Sequence, residues 1–116
     1  MLNILGHIIN EQDKEIQNFE KVLVLHRQMN LKKHIFTYRT SVLPRPKKVF
    51  LAGTFNDWSQ TCVMFYDYFK KVWSVTLNLT PGEYQYKFIV GENWVCCDDE
   101  PKVTDMDGNL NNYLII

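Results

Sequence analysis

The sequence lacks an excess of charge of either sign, because its 116 residues include 13 basic and 13 acidic side chains. No global field therefore draws the chain to nucleic acid or to an anionic membrane surface. No apolar run approaches the roughly 20 residues that span a bilayer. The opening MLNILGHII has neither a basic front nor a small-residue cleavage site. We therefore expect no nucleic-acid partner, no membrane span and no secretory signal.

Cysteine is also scarce, and the three thiols are Cys62, Cys96 and Cys97. An odd count with two adjacent members does not suggest a disulfide scaffold and favours reduced thiols inside a cell. Without a CxxC pair, a metal ion would need the adjacent cysteines together with His26 or His34, which is a poor chelating arrangement. We expect no metal, no cofactor and a cytoplasmic location, with mitochondrial or ciliary locations as alternatives.

Helix breakers are missing between Glu11 and Leu43, where the chain has neither glycine nor proline. Asn10 is a suitable N-cap, and apolar residues recur after it at three- and four-residue steps. This pattern predicts a helix from about Glu11 to Met29 within an N-terminal extension of residues 1–33. The helix either packs on its own domain or docks onto another chain. The candidate partner-binding residues on it are Ile16, Phe19 and Leu23.

From His34 the period of the apolar residues changes to two. Short alternating segments such as Val72–Leu79 and Glu83–Val90 are separated by turns rich in glycine, proline and asparagine. Residues 34–116 are therefore predicted to be mainly β, as an antiparallel immunoglobulin-like β-sandwich that follows the helical extension. The alternation places Trp73 in the core and directs Lys87 away from it.

Aromatic residues are concentrated in two kinds of place outside the predicted strand cores. Trp58 and Trp94 lie in polar turns, where an indole either plugs the end of a sandwich or offers a flat platform to a ligand. Residues 61–69, TCVMFYDYF, form a predicted loop whose aromatic side chains cannot all enter a small core. Because an exposed apolar cluster marks a contact surface, the candidates for binding a protein partner there are Phe65, Tyr66 and Tyr68.

Four segments in the β-rich region form a familiar series, namely FLAGTFNDWS, LTPGEYQYKFIVGENW, DDEPKVTD and GNLNNYLI. They resemble the glycogen-binding module of AMP-activated protein kinase β subunits, a family 48 carbohydrate-binding module. The resemblance implies a non-catalytic module that binds an α-1,4-glucan such as glycogen or starch, with Trp58 and Trp94 stacked on glucose rings. It also implies that Lys87 and Asn111 hydrogen-bond sugar hydroxyls. From the residues alone, Lys87 could equally be a solvated charge and Asn111 could cap a turn.

The chain departs from the family pattern just before Gly108, where the family has a bulky leucine and this chain has Asp107. Met106 substitutes for that leucine if the loop shifts; otherwise a hydrophobic contact becomes a charge. The segment 61–69 is longer than is usual in the family. The region by which kinase β subunits hold partner subunits is missing, so we expect an accessory subunit rather than an ordinary kinase scaffold.

Three classes of function compete for this sequence. The first is α-glucan binding, and the second is a structural subunit of a large assembly, axonemal or mitochondrial, in which the sugar site is lost or covered. The helical extension and the aromatic segment favour the second. The third is an enzyme, but Asp98, Asp99 and Glu100 are adjacent in one loop and lack the separation of the paired acids of a glycosidase. We therefore expect no catalytic activity.

Overall fold

A computed structural model of the chain describes residues 20–22, 25 and 30–116. Residues 20–22 and 25 are helical, and none of the helices in the described part of the chain is long and apolar enough to cross a membrane. The remainder of the predicted helix Glu11–Met29 lies outside the described residues, together with the candidate partner residues Ile16, Phe19 and Leu23. The chain divides into two compact units, Met1–Leu31 and Lys32–Ile116, and the fold given below is that of the second unit.

Nine strands and one 3-10 turn, Thr54–Asn56, make up the second unit, every residue of which is described. The strands are β1 Lys32–Tyr38, β2 Val49–Gly53, β3 Cys62–Val63, β4 Phe65–Asp67, β5 Val72–Leu79, β6 Glu83–Val90, β7 Asn93–Val95, β8 Lys102–Thr104 and β9 Leu110–Ile115. One sheet has the order β1-β5-β4, and the other has the order β3-β2-β6-β9-β8 with β7 paired to β6. All pairings are antiparallel, which confirms the predicted mainly-β sandwich fold.

The core consists of side chains from both sheets that alternate with outward-facing residues along each strand. Phe36 of the small sheet meets Tyr86 of the large sheet edge to face, with ring centroids 5.0 Å apart. Leu51 and Phe88 are almost completely inaccessible, and Trp73 is 6% exposed, as the alternation of its strand predicted. This packing makes the large sheet a rigid base for the side chains on its outer face.

The prediction of a loop at residues 61–69 is wrong, because most of this segment forms β-strand. β3 pairs with β2 in the large sheet, whereas β4 pairs with β5 in the small sheet. Met64 lies between them and is 2% exposed, so the chain passes from one sheet to the other through the core at this residue. Strands of two and three residues are too short to show an alternating pattern, which explains why the sequence did not reveal them.

The same crossing divides the aromatic side chains of the segment between two environments. Tyr66 packs against Trp73 with ring centroids 5.2 Å apart and is half-buried. In contrast, Phe65 and Tyr68 are each 70% exposed, and Phe69 is 99% exposed. The exposed part of the predicted partner-binding cluster is therefore Phe65 and Tyr68, with Phe69 beside them.

A buried asparagine, Asn112, fastens the segment between β7 and β8 to β9. It is completely inaccessible to solvent. Its Oδ1 accepts a hydrogen bond from the Cys97 N–H at 2.7 Å, and its Nδ2 donates to the Cys97 carbonyl at 2.8 Å. A buried amide that satisfies two backbone groups in this way holds an irregular segment without leaving polar atoms unpaired. Burial also raises the pKa of the Cys97 thiol.

Candidate functional site

The centre of the site is the position at which β6 changes its neighbouring strand. β9 pairs with residues Glu83–Tyr86 of β6, and β7 pairs with residues Phe88–Val90, so Lys87 lies between the two partners. Tyr86 and Phe88 on either side of it point into the core. Alternation therefore directs Lys87 to the outer face of the large sheet, as predicted, in the gap between β7 and β9.

Trp94 shares that outer face with Lys87. It lies in β7 directly opposite Ile89 of β6, and residues that face each other in an antiparallel pair project from the same side. The prediction of a turn at Trp94 is thus wrong, since the residue belongs to a short edge strand. Trp94 remains 41% exposed, whereas Ile89 on the same face is 3% exposed. A large part of the indole is consequently open to solvent.

Trp58 is presented by the tight turn that follows β2. Asp57 and Trp58 both have left-handed backbone conformations, with φ of 54° and 59°. Aspartate adopts this conformation more readily than most residues, whereas a bulky residue such as tryptophan rarely does. Asn56 holds the turn, because its Oδ1 accepts from the Gly53 N–H at 3.0 Å and its Nδ2 donates to the Ser59 carbonyl at 3.3 Å. The Trp58 N–H donates to the Gly53 carbonyl at 2.9 Å. Backbone strain kept in place by surrounding bonds is a feature of ligand-binding turns.

The two indoles face a common space without stacking on each other. Their ring centroids are 6.5 Å apart and their planes are inclined at 50°. Trp58 is half-buried, and neither indole lies in the dry interior. Together they form two adjacent apolar surfaces at an angle.

Asn111 lies on β9 at the other side of Lys87, and its side chain is 2% exposed. Its Nδ2 donates to Gln85 Oε1 at 2.9 Å and to Asp105 Oδ2 at 3.1 Å. Both amide hydrogens are therefore used within the protein, so this side chain can offer a ligand only its carbonyl oxygen as an acceptor.

Asp105 organises the loop that borders the site. Its Oδ1 accepts from the backbone N–H groups of Asp107 and Asn109, both at 2.9 Å, while Oδ2 accepts from Asn111. These hydrogen bonds, the one from Asn109 above all, hold the pKa of the Asp105 carboxyl below its usual value. Gly108 completes the turn with φ of 84°, a conformation that favours glycine.

These residues enclose an open cavity of about 450 Å³, which is lined by Trp58, Lys87, Trp94, Asp105, Asp107, Asn109 and Asn111. Four of the five residues predicted to bind carbohydrate are among them. The fifth, Met106, does not line the cavity and is fully exposed at the tip of the loop. Among the described residues there is no cluster of His, Cys, Asp and Glu that could hold a metal ion.

The structure adds three residues to the site: Asp105 and Asn109, which line the cavity, and Gln85, which accepts from the Asn111 amide. No role was predicted for any of them from the sequence. The run from Asp105 to Asn109 did carry a usable signal, because an aspartate that opens a glycine-containing turn commonly bonds the backbone two residues on. Gln85 carried no such signal, since an outward-facing glutamine on a strand is usually solvated. Chemically, the cavity combines two apolar planes with one cation, two carboxylates and two side-chain amides.

Comparison with known proteins gives a consistent result. Residues 36–116 match the family described as the glycogen recognition site of AMP-activated protein kinase. The 5′-AMP-activated protein kinase subunit beta-2 of Homo sapiens is 40% identical over 68 residues, which are 59% of this chain and 24% of that protein. The subunit beta of Schizosaccharomyces pombe is 36% identical over 66 residues, or 57% of this chain and 21% of that protein. The subunit beta-1 of Sus scrofa is 38% identical over 69 residues, or 59% and 53%. The chain thus spans about a quarter of the length of the first two of these curated relatives.

Proposed function

This chain belongs to the family of the glycogen recognition site of AMP-activated protein kinase, and on that premise we propose that the cavity between Trp58, Lys87, Trp94 and Asn111 binds an α-1,4-glucan. A carbohydrate-binding module of this kind is a non-catalytic domain. The observation that carries the proposal is the meeting of two accessible indoles, a lysine and an asparagine at the edges of one open cavity.

The apolar and polar parts of the cavity match the two kinds of surface on a pyranose. The C–H face of a glucose ring packs on an indole plane, which removes apolar area from water at about 25 cal/mol per Å². Lys87 donates to hydroxyl oxygens, and the carbonyl oxygen of Asn111 accepts from a hydroxyl. Since the hydroxyls also leave water, the net affinity is expected on the micromolar to millimolar scale, about −4 to −8 kcal/mol.

The angle between the two indoles favours a curved chain of sugars. Planes inclined at 50° cannot both lie flat on successive rings of an extended, ribbon-like chain. They can lie on successive rings of a chain that turns, as α-1,4-linked glucose does. We therefore propose that the site prefers α-1,4-linked over β-1,4-linked glucose oligomers.

Asp107 lines the cavity at the position where the family pattern has a bulky leucine. A carboxylate cannot replace the apolar contact with a sugar ring, but it accepts hydrogen bonds from hydroxyls. Met106 is next to it with a free side chain, and its contribution to sugar binding stays a prediction. We propose that the site is retained but weaker than one with an apolar residue at 107.

Retention on glycogen tests this proposal. The intact chain should co-pellet with glycogen, and Trp58→Ala or Trp94→Ala should each weaken retention about tenfold, because each removes one stacking surface that contributes about 1.4 kcal/mol or more. Phe69→Ala is the matched control, because it also removes an exposed aromatic ring but lies outside the cavity. Absence of retention for the intact chain, or equal losses in the control, would refute glucan binding.

A second candidate function is protein docking through Phe65, Tyr66 and Tyr68. The high exposure of Phe65 and Tyr68 supports it, because accessible apolar rings on one edge of a small sheet are typical of contact surfaces. A Phe65→Ser, Tyr68→Ser double variant should lose co-purifying proteins but keep glycogen retention. If the same proteins co-purify with the variant and with the parent, this surface is not the docking site.

The compartment in which the module works is inferred from its thiols. Three free cysteines, two of them with thiol pKa values raised by burial, suit a reducing intracellular compartment, and we propose the cytoplasm. We propose an accessory role beside other protein subunits, because the relatives are themselves subunits of a kinase. Mitochondrial and ciliary locations, and a role in an axonemal or mitochondrial assembly, remain predictions.

A further inference from the structure

A second cavity lies on the small sheet, away from the proposed glucan site. Its volume is about 350 Å³, within the usual range for small-molecule sites. The residues that line it include Thr40, Ser41, Arg45, Tyr66, Lys71 and Trp73. None of them lines the cavity around Trp58 and Trp94, so the two cavities can be tested independently.

The lining of this cavity is rich in hydrogen-bond donors and contains no carboxylate. Arg45 and Lys71 supply two positive charges, and the ion pair found among the described residues, Lys102–Asp98, involves neither of them. The Thr40 hydroxyl oxygen accepts from the Val42 N–H at 3.1 Å, which leaves its hydrogen free to donate. The electrostatic character of the cavity is therefore positive.

Trp73 supplies the most specific observation. It is 6% exposed, and its indole Nε1–H is buried with no acceptor in the described part of the chain. A buried donor without a partner is unfavourable, and most buried donors in folded proteins are hydrogen-bonded. Because Trp73 lines the cavity, a ligand oxygen that enters there can supply the missing acceptor.

Arg45 is held in place for such a ligand. Its guanidinium carbon lies 4.1 Å from the ring centroid of Tyr66 and 4.8 Å from that of Tyr68, and one terminal nitrogen donates to the Tyr68 hydroxyl at 3.3 Å. Stacking on aromatic rings fixes the planar guanidinium and reduces the entropy lost when it binds a ligand. A guanidinium carries five N–H donors, more than its contacts with the two tyrosines use, and its fork geometry matches an oxyanion.

We propose that this cavity binds a small anionic ligand through a phosphate or carboxylate group. Arg45 and Lys71 neutralise its charge, and the Trp73 indole N–H and the hydroxyls of Thr40 and Ser41 donate to its oxygens. The flat side chains of Tyr66 and Trp73 provide an apolar wall for the body of the ligand. The segment that brings Thr40 and Arg45 to the cavity joins β1 to β2.

Nuclear magnetic resonance of the ¹⁵N-labelled chain tests the proposal directly, because the three tryptophans give three indole N–H signals. Trp58→Phe and Trp94→Phe assign two of them and leave Trp73 by elimination, without altering the cavity. Inorganic phosphate, and separately acetate, is titrated to about 10 mM at constant ionic strength maintained with chloride, so that general screening does not change. We expect a saturable shift of the Trp73 signal and no shift of the other two.

Variants of the cavity decide whether the shift reports a site. Arg45→Gln and Lys71→Gln should each weaken the phosphate response at least tenfold, whereas Lys70→Gln, an exposed neighbour outside the lining, should leave it unchanged. A response to phosphate alone or to acetate alone supports the site and identifies its preferred oxyanion. No response to either ion, or a response that survives Arg45→Gln, overturns it. Titration with maltoheptaose in the same sample reports on the glucan proposal separately, through Trp58 and Trp94.

Discussion

Gly53 is the residue at which a single added methyl group should disturb both the fold and the proposed site. It ends β2, and its carbonyl accepts the hydrogen bond from Trp58 that closes the turn. Its φ of −170° is ordinary extended backbone, so the requirement for glycine is one of space. A Cβ atom there would lie 2.5 Å from Cε2 of Phe55 and 2.6 Å from the carbonyl oxygen of Gln85. Since the second contact is with the backbone of β6, it cannot be relieved by a rotamer change.

The magnitude follows from that geometry. Overpacking a tight interior position costs about 1–3 kcal/mol, and here β2 and β6 must move apart to admit the methyl group. With a denaturant slope of about 1 kcal/mol per M in urea for a domain of this size, Gly53→Ala should lower the unfolding midpoint by about 1 M or more. The same displacement should move Trp58 relative to Trp94 and weaken glucan binding in the variant under conditions where it is still folded.

Gly82→Ala provides the matched control. A Cβ atom at Gly82 would meet nothing closer than the Tyr84 hydroxyl at 3.9 Å, which is an ordinary van der Waals distance. The free energy of unfolding of that variant should lie within about 0.5 kcal/mol of the parent value, as is usual for substitutions without steric conflict. Urea denaturation followed by far-ultraviolet circular dichroism measures both variants. Equal midpoints for Gly53→Ala and Gly82→Ala would show that the steric reasoning is wrong.

The remaining predictions concern the loop beside the site and the buried amide. Glucan affinity should stay constant as the pH is lowered from about 7 to 5, and it should decrease only at a pH below the ordinary aspartate pKa of about 4. The reason is that the folded pKa of Asp105 is lowered, so the carboxylate that holds the loop is lost only as the pH falls through that lowered value. Asp105→Asn should remove that dependence in a pH series of binding titrations, and an unchanged profile would contradict the role given to Asp105. Asp107→Leu should raise glucan affinity several-fold, because the leucine adds about 1 kcal/mol of apolar contact with the sugar. Calorimetry measures the affinity, and a decrease would show that the carboxylate is the better contact. Met106→Ala should lower affinity less than Trp94→Ala does, because Met106 does not line the cavity. Asn112→Leu should leave the N–H and the carbonyl of Cys97 without their side-chain partners, which should lower the free energy of unfolding by about 1–3 kcal/mol for each group. The loss should appear as a lower thermal midpoint. An unchanged midpoint would mean that other contacts hold the segment.

The larger features of the fold could be predicted because they depend on patterns that extend over many residues. The eight-residue strands β5 and β6 alternate clearly, and their alternation correctly placed Trp73 inside and Lys87 outside. The short strands could not be predicted in this way. β3, β4 and β8 have two or three residues each, and their positions depend on pairing with strands far away in sequence.

The site shows the same division between local and long-range information. Trp58 and Trp94 could each be identified from the sequence as aromatic residues in polar surroundings. Their proximity could not, because 36 positions separate them in sequence and only the fold brings their ring centroids to 6.5 Å from each other. Nothing local indicated that the Asn111 amide is bound by Gln85 and Asp105, because those bonds form only when β6, β9 and the loop before it have assembled. The cavity at Arg45 and Trp73 likewise could not be predicted from the sequence, because it forms only where the connection after β1 lies against β4 and β5.

The measurement that tests glucan binding most directly is a titration of the ¹⁵N-labelled chain with maltoheptaose, with cellohexaose as the β-linked control. The account predicts saturable shifts at the indole N–H groups of Trp58 and Trp94 and at the backbone of Lys87 and Asn109, with little change at Trp73 and none with cellohexaose. Shifts that are absent, that are equal for the two sugars or that cluster away from the two outer tryptophans would contradict it.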